Sequence, residues 1–228
     1  MRILALIPAR GGSKRLPGKN IRLLGGKPLV IWSIDVVKNL TEICDILVST
    51  DDPRIAYVCR DAGATTPWLR PSYLATDTSS SVDVAIHALD WYEAEKGEVD
   101  GLLLLQPTSP FRSQKTVKRG IELFSSYGHQ SVLGVSLTHD HPMWCLTVKD
   151  DYLVPFLPAH GLETRSQDLS PAYVVNGSFY LITPAELRSC RSFFGIKTLP
   201  LIIHSQKEVI DIDTEFDMKL AEFFLNTL

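Results

Sequence analysis

Short apolar runs alternate along the chain with segments whose apolar residues recur at helical spacing. The apolar runs predict strands at residues 3–7, 46–50, 101–105, 131–136, 178–182 and 209–213. Helical spacing predicts helices at residues 29–39, 82–95, 114–127, 184–188 and 215–226, and a further helix that begins at Pro53 with Asp52 as its cap. Buried strands that alternate with helices indicate an α/β fold with a doubly wound, mainly parallel sheet.

The alternation stops between about residues 137 and 175, where prolines, histidines and short alternating runs replace it. This stretch predicts an inserted β-rich arm rather than another strand–helix unit. Because the strand and helix pattern resumes after it, we expect residues 1–228 to form a single domain that carries the arm. His139 and His141 lie in the arm, and without a third ligand at useful spacing they indicate a loop rather than a zinc site.

A glycine-rich and strongly cationic segment follows the first predicted strand. Gly11 and Gly12 permit close approach of a ligand to the backbone, and successive amide groups there can bind an anion. Four cations lie within ten residues, namely Arg10, Lys14, Arg15 and Lys19. The segment fits neither a Walker loop nor a dinucleotide-binding turn. It therefore predicts a polyphosphate site, most simply for a nucleoside triphosphate, against the alternative of a solvated surface loop.

Two carboxylates, Asp211 and Asp213, are expected on one face of the last predicted strand. Adjacent carboxylates repel each other unless a cation joins them, and Mg²⁺ binds both carboxylate and phosphate oxygens. The pair therefore predicts a site for Mg²⁺ or, in its place, Mn²⁺. In the simpler alternative, Asp213 or Thr214 caps the last helix and Asp217 completes a capping-box contact, which leaves Asp211 unexplained.

Composition narrows the class of protein. The chain has 228 residues and a formal net charge of −3, so no broad basic surface for nucleic acid is expected. No apolar stretch approaches the roughly 18 residues of a membrane span. The first strand follows Met1 and Arg2 so directly that we expect no signal peptide. The cysteines are widely spaced and are expected to be reduced thiols, which indicates the cytoplasm.

Six stretches taken together resemble the acylneuraminate cytidylyltransferases, also called CMP-sialic acid synthetases. They are IPARGGSK with KN at residues 7–20, STD at 49–51, RP with LATDT at 70–78, LQPTSP at 105–110, NGSFY at 176–180 and IDIDTE at 210–215. The resemblance implies a Rossmann-like nucleotidyltransferase that transfers CMP from CTP to a nine-carbon 2-keto sugar acid, with Mg²⁺ and release of diphosphate. The residues alone leave two alternatives open: a nucleotidyltransferase for another class of sugar, and a nucleotide-binding regulator without activity.

The same resemblance implies roles for individual residues. The nucleotide site would comprise Arg10, Gly11, Gly12, Ser13, Lys14, Lys19, Asn20, Arg70 and Ser81, with the cations on the triphosphate and the last three residues on the ribose and cytosine. Asp211 and Asp213 would hold the metal, and Arg10, Lys19 and Asp211 would carry the catalysis. The sugar-acid pocket would be lined by Gln106, Tyr180, Phe193 and Phe194.

The resemblance also implies a homodimer in which the arm crosses to a second subunit. Arg165, contributed by the arm of the other subunit, would meet the sugar carboxylate. Val174 stands where sialic-acid enzymes carry an arginine, and Met143 and Trp144 stand where a lysine is expected. Because both positions lie near the expected acid-sugar site, legionaminic and pseudaminic acid stay open as alternatives to an N-acylneuraminate.

Overall fold

The computed structural model describes residues 1–157 and 162–226, and its main feature is a six-stranded sheet. The strands are β1 (Ile3–Pro8), β4 (Ile43–Ser49), β5 (Gly101–Leu104), β6 (Ser131–Leu137), β9 (Tyr173–Ile182) and β10 (Thr198–Ile202). They lie in the order β10-β6-β9-β5-β1-β4. Two short antiparallel pairs lie outside this sheet, β2 (Leu23–Leu24) with β3 (Lys27–Pro28) and β7 (Leu146–Lys149) with β8 (Tyr152–Pro155).

Several helices begin at a residue whose side chain caps them, and the sequence predicted Asp52 in this role for α2. The helices are α1 (Leu29–Asp35), α2 (Pro53–Asp61), α3 (Ser81–Lys96), α4 (Gln114–Ser126), α5 (Pro184–Cys190) and α6 (Glu215–Asn226). The Asp52 carboxylate accepts a hydrogen bond from the Arg54 amide at 2.8 Å at the start of α2. Ser80 plays the same part for α3, where its hydroxyl oxygen accepts from the Val82 amide at 3.1 Å. These bonds satisfy backbone donors that a helix start leaves without partners.

The sheet is buried on both faces because helices cover each side of it. In β1, Ile3, Ala5 and Ile7 pack into a core with α1, α2 and α4. Leu4 and Leu6 point to the other face and pack with α3 and α5. Successive side chains of a strand alternate between faces, so a strand buried on both sides is apolar throughout. This three-layer arrangement confirms the predicted α/β class.

One strand makes the sheet mixed rather than wholly parallel. β1 runs parallel to β4 and β5, and β10 runs parallel to β6. β9 lies between β5 and β6 and is antiparallel to both. The carboxyl ends of β1, β4 and β5 therefore meet at one edge of the sheet, and β9 enters the sheet from that same edge.

The predicted strand at residues 209–213 is wrong. Ile210 and Ile212 are buried against α6, while Asp211 and Asp213 face outward, so the alternation is real. However, the segment is a loop in which the Ile212 amide donates to the Thr108 carbonyl at 2.7 Å. The last strand of the described chain is instead β10, which lies at the sheet edge and contains Pro200. An edge strand tolerates proline because one side of it needs no donor.

Other boundaries differ by a few residues. Helix α1 ends at Asp35 rather than near residue 39, and β9 begins at Tyr173 rather than at residue 178. The extra residues of β9 pair with the end of β6, where Leu137 lies opposite Tyr173. The predicted arm leaves and re-enters the sheet at this pair and carries the β7–β8 hairpin. Among the described residues, none of the helices combines the length and apolar character that a transmembrane span needs.

Candidate active site

A cleft of about 590 Å³ opens at the edge of the sheet where β1, β4 and β5 end. Ten of the predicted site residues line it: Arg10, Ser13, Lys14, Lys19, Asn20, Arg70, Ser81, Gln106, Asp211 and Asp213. Residues up to 205 positions apart in sequence, Pro8 and Asp213, thus line one cleft. Ligands of open α/β sheets bind at such an edge, where strand ends leave a crevice.

The glycine-rich loop is fixed against the junction of β4 and α2. The Gly11 amide donates to the Asp51 carboxylate at 2.9 Å. A Cβ atom on Gly11 would lie 2.9 Å from the Asp52 Cβ, so this position needs glycine for packing. Gly12 has open space around its missing Cβ. The sequence predicted close approach of a ligand at both glycines, and neither lines the described cleft in this structure.

Two cations of the loop are paired across the cleft with a carboxylate that the sequence analysis did not assign. The Arg10 guanidinium lies 2.9 Å from the Asp77 carboxylate and also donates to the Thr76 carbonyl at 3.0 Å. The Lys14 ammonium pairs with the other Asp77 oxygen. Lys14 and then Arg10 hold the pKa of Asp77 below its ordinary value. The sequence signal was present in the LATDT stretch, but Asp77 is 63 or more residues from its partners.

The remaining loop cations meet Asp213. The Lys19 ammonium lies 2.9 Å from one Asp213 oxygen, and the Arg15 guanidinium lies 2.7 Å from the other. Lys19 is mostly buried, with 12% of its side chain exposed, so water screens this pair less than a surface pair. Asp213 is therefore held by two cations. Arg15 was counted among the loop cations in the sequence but was given no site role.

Asp211 has a different environment from Asp213. No cation lies within ion-pair distance of Asp211 in the described part of the chain. Desolvation raises the pKa of Asp211, and repulsion from Asp213 and Asp217 adds to the increase, while a hydrogen bond from Thr108 and the charge of Lys19 oppose it. The Asp211 carboxylate thus lies close to other negative charge, which an additional cation would relieve.

The carboxylates fit a divalent cation only in part. In residues 1–157 and 162–226, no group of three or more His, Cys, Asp or Glu side chains is arranged to hold a metal. Asp211 and Asp213 would supply at most two carboxylate ligands, and Asp213 would have to exchange its bonds to Lys19 and Arg15. This donor set fits Mg²⁺ better than zinc, because Mg²⁺ commonly binds one or two carboxylates and completes its shell with phosphate oxygens and water.

The cap alternative for the last helix also holds. The Thr214 amide and hydroxyl donate to the Asp217 carboxylate at 2.7 and 2.8 Å, and the Asp217 amide donates back to the Thr214 hydroxyl at 3.3 Å. This reciprocal pair is a capping box. Thr214 rather than Asp213 is therefore the cap, and both Asp211 and Asp213 stay available to the cleft.

The predicted ribose and base residues also line the cleft. The buried Arg70 guanidinium donates to the Ser49 hydroxyl at 2.9 Å and to the Leu74 carbonyl at 3.4 Å, and desolvation lowers its pKa to about 10. The Asn20 amide group donates to the Arg10 carbonyl at 2.8 Å, which fixes the base of the cationic loop. Ser81 is exposed at the first turn of α3 and faces the cleft.

The structure separates most of the predicted sugar residues from the cleft. Gln106 lines it, but Tyr180, Phe193, Phe194 and Arg165 are not among its described lining residues. The rings of Tyr180 and Phe193 pack edge to face with centroids 5.5 Å apart, and Phe193 is buried. Phe194 is exposed, and Arg165 is exposed on the arm. Desolvation, and after it the charge of Asp211, raise the pKa of Tyr180.

Arg112 lies two residues after the LQPTSP stretch and was given no role in the sequence analysis. It is buried, and its guanidinium donates to the Gln106 carbonyl at 2.5 Å and to the Ser178 carbonyl at 2.8 Å. The available signal was a charged residue directly before Ser113, the cap of α4. The partners of Arg112 could not be inferred, because two of them are backbone carbonyls and the third is the hydroxyl of Ser33, 79 positions earlier in the chain.

Comparison with known proteins gives concordant results. Residues 4–132 match a family model described as Cytidylyltransferase. The CMP-N,N'-diacetyllegionaminic acid synthase of Legionella pneumophila is 43% identical to this chain over 226 residues, which cover 97% of this chain and 95% of that protein. The N-acylneuraminate cytidylyltransferase of Streptococcus agalactiae is 32% identical over 219 residues, which cover 95% of this chain and 52% of that protein.

A solved structure shares the fold. The CMP:2-keto-3-deoxy-manno-octonic acid synthetase complexed with CTP aligns with a TM-score of 0.71 over 100% of both chains. Its sequence identity to this chain is 16%, so this similarity bears on the arrangement of strands and helices alone. It agrees with the mixed, mainly parallel sheet described above.

The pairing of Asp77 with Arg10 and Lys14 predicts competition with a bound polyphosphate. Replacing Asp77 with Asn removes the internal anion, so inorganic tripolyphosphate should bind about two- to fivefold more tightly, as expected for release of largely exposed ion pairs. Isothermal titration calorimetry measures this change. The matched control is Asp83→Asn, because the Asp83 side chain is also 40% exposed and pairs with Arg191. Equal affinities for wild type and Asp77→Asn would show that Asp77 does not compete with the anion.

Proposed function

This chain belongs to the cytidylyltransferase family, and from that premise we propose that it transfers CMP from CTP to a nine-carbon 2-keto sugar acid. The observation that carries the proposal is one cleft in which the cationic loop after β1 faces the carboxylates Asp211 and Asp213. A volume of about 590 Å³ is in the range of sites that hold nucleotide-sized ligands. Membership of this family makes the chain a nucleotidyltransferase. It therefore disfavours the alternative of a nucleotide-binding regulator without activity.

In the proposed reaction, the anomeric hydroxyl of the sugar attacks the α-phosphorus of CTP. A phosphorus–oxygen bond forms to the sugar, the bond to the β-phosphate oxygen breaks, diphosphate leaves and the hydroxyl proton is released. Arg10, Lys14 and Lys19 would bind the phosphate oxygens and stabilise the charge that moves to the leaving group. Gln106, at the end of β5, would orient the acceptor against the triphosphate, so that much of the catalysis comes from positioning.

Asp211 and Asp213 are the residues that would hold Mg²⁺. When bound, the ion would polarise the phosphate oxygens and neutralise part of their charge. Asp211 would accept the ion readily, since it has no cation of its own and lies near two other carboxylates. Asp213 would release Lys19 and Arg15 toward the triphosphate as it turned to the metal.

We favour N,N'-diacetyllegionaminic acid as the acceptor over an N-acylneuraminate. The legionaminic acid synthase is 43% identical to this chain and the N-acylneuraminate enzyme is 32% identical. Val174 supports this choice, because it presents an exposed apolar side chain where the resemblance to sialic-acid enzymes leads us to expect an arginine. The acceptor class is the same in either case, namely a nonulosonic acid with a free anomeric hydroxyl.

The cytoplasm remains our proposal for where the protein acts. All four cysteines are free thiols in the structure, and Cys44 and Cys145 are exposed. Exposed free thiols persist in reducing compartments, which supports that location.

Pyrophosphate release tests the reaction and the acceptor together. The enzyme with CTP and Mg²⁺ is given N,N'-diacetyllegionaminate, N-acetylneuraminate, pseudaminate or a neutral sugar 1-phosphate in separate assays. We expect release with the nonulosonic acids and the highest kcat/KM with N,N'-diacetyllegionaminate. Release with the sugar 1-phosphate alone would instead identify an enzyme for another class of sugar, and faster turnover of N-acetylneuraminate would overturn the choice of acceptor.

Asp211→Asn tests the metal site. The substitution keeps the size of the side chain but removes the charge, so kcat should fall about a hundredfold at any Mg²⁺ concentration, and Mn²⁺ binding followed by electron paramagnetic resonance should weaken in parallel. Asp61→Asn, at the exposed end of α2, serves as the control and should leave both values unchanged. Wild-type turnover by Asp211→Asn over a broad Mg²⁺ range would remove Asp211 from the metal site.

We also propose that the arm pairs with a second copy of the chain. In the β7–β8 hairpin, Val148 lies opposite Leu153 and Leu146 lies opposite Pro155, so these side chains share one face. All four residues are exposed in the single chain. A contiguous apolar face of this kind is typical of a protein–protein interface. Arg165 lies on the same arm, so a crossing arm would carry it toward the other subunit.

Val148→Asp tests the arm interface. A carboxylate at the centre of the apolar face would have to be buried without a partner, so the protein should shift from dimer to monomer in analytical ultracentrifugation. Tyr57→Asp is a matched control, because Val148 and Tyr57 are both 68% exposed and Tyr57 lies on α2. A wild-type protein that is monomeric at all concentrations, or a Val148→Asp dimer of unchanged stability, would exclude this interface.

A further inference from the structure

Arg112 connects three elements through one planar group. Its Nη2 donates to the Gln106 carbonyl at 2.5 Å, its Nε donates to the Ser178 carbonyl at 2.8 Å, and its Nη1 donates to the Ser33 hydroxyl at 2.8 Å. These partners belong to the loop after β5, to β9 and to α1. A guanidinium presents its donors in a rigid fork, so the three bonds fix the relative positions of these elements.

The burial of Arg112 calls for a reason beyond packing. Only 4% of the residue is exposed, and no carboxylate lies within ion-pair distance of it in the described part of the chain. Desolvation lowers its pKa to about 9, so the group still carries its charge at neutral pH, and Asp211 provides the largest opposing charge. Buried ions are costly, and an apolar side chain would fill this volume at a smaller cost.

Arg112 supports both residues of the contact between Gln106 and Gly177. The Gln106 Oε1 atom lies 2.8 Å from where a Cβ on Gly177 would be, and Gly177 has a φ of +73° that favours glycine. Arg112 holds Gln106 through its carbonyl, and it holds the β9 backbone beside Gly177 through the carbonyl of the next residue, Ser178. The side-chain amide of Gln106 is thereby set between the backbone of β9 and the open cleft.

We infer that Arg112 is a positioning residue for the sugar acid, which acts by holding the Gln106 side-chain amide against Gly177 of β9. The inference rests on the proposed function, because that function gives Gln106 the acceptor. Arg112 itself does not line the cleft among the described residues, so its effect must pass through Gln106. The inference predicts a selective effect on the acceptor and little effect on the nucleotide.

Four variants separate positioning from mere support of the fold. Arg112→Gln removes the fork, Arg112→Lys keeps the charge, and Ser33→Ala removes the one bond to α1, at a residue outside the described cleft lining. Arg119→Gln is the control, since Arg119 also lies on the α4 side and donates to a backbone carbonyl, that of Ile202, outside the site. The measurements are KM for the acid, kcat, the dissociation constant of CTP alone, and the thermal midpoint.

For Arg112→Gln we expect KM for the acid to rise about tenfold or more, as for loss of hydrogen bonds from a charged donor, with CTP affinity unchanged. Arg112→Lys should recover part of the loss, and Ser33→Ala should show a smaller rise in the same direction. Arg119→Gln should lower at most the thermal midpoint.

Unchanged KM for the acid in folded Arg112→Gln, or equal losses for acid and CTP, would overturn the inference. If Arg112→Gln does not fold, unchanged acid KM in both Arg112→Lys and Ser33→Ala would overturn it instead. The variants can test this inference only if the wild-type enzyme releases pyrophosphate with a nonulosonic acid. If the wild type releases no pyrophosphate with any nonulosonic acid, the proposed function has failed.

Discussion

Four cationic side chains lie together in the cleft, and in the folded chain each of them forms an ion pair with a carboxylate of the same chain. Arg10 and Lys14 meet Asp77, while Lys19 and Arg15 meet Asp213. These pairs connect the loop after β1 with the loop before α3 and with the segment before α6. A triphosphate could replace Asp77 and Asp213 as the partner of these four cations. A divalent cation could in turn replace Lys19 and Arg15 as the partner of Asp213.

The fold was largely predictable because buried strands and helices leave a clear pattern of apolar residues in the sequence. Strands covered on both faces must be apolar throughout, and β1 and β5 show this in the sequence. Alternation was misleading at residues 209–213, where Ile210 and Ile212 anchor a loop to α6 in the same way that they would anchor a strand. β10 was missed for the opposite reason, since an edge strand with Pro200 lacks the continuous apolar pattern of the central strands.

The candidate site was predictable in its composition and not in its pairings. Cations and carboxylates near strand ends indicated a charged cleft, because parallel strands bring those ends together. Which cation pairs with which carboxylate depends on the lengths and paths of the loops. The residues next to each charged side chain in the sequence do not show these paths. Asp77 and Arg112 illustrate the point: one acts across 67 residues on Arg10, and the other acts through backbone carbonyls, which every residue possesses.

The antiparallel strand β9 gives the arm and the sugar side of the cleft a common support. Its first residues pair with the end of β6 at the base of the arm, and its next residues include Gly177, against which Gln106 rests. Tyr180 follows on the same strand, and the charge of Asp211 contributes to raising its pKa. Within one strand, therefore, the chain passes from the base of the arm, which carries the proposed subunit interface, to the contact with Gln106 at the proposed acceptor site. A second copy bound to the arm would therefore contact the chain close to Tyr173, where β9 begins, and Gly177, which Gln106 contacts, lies four residues further along the same strand. The proposed subunit interface and the proposed acceptor site would thus both depend on the position of β9.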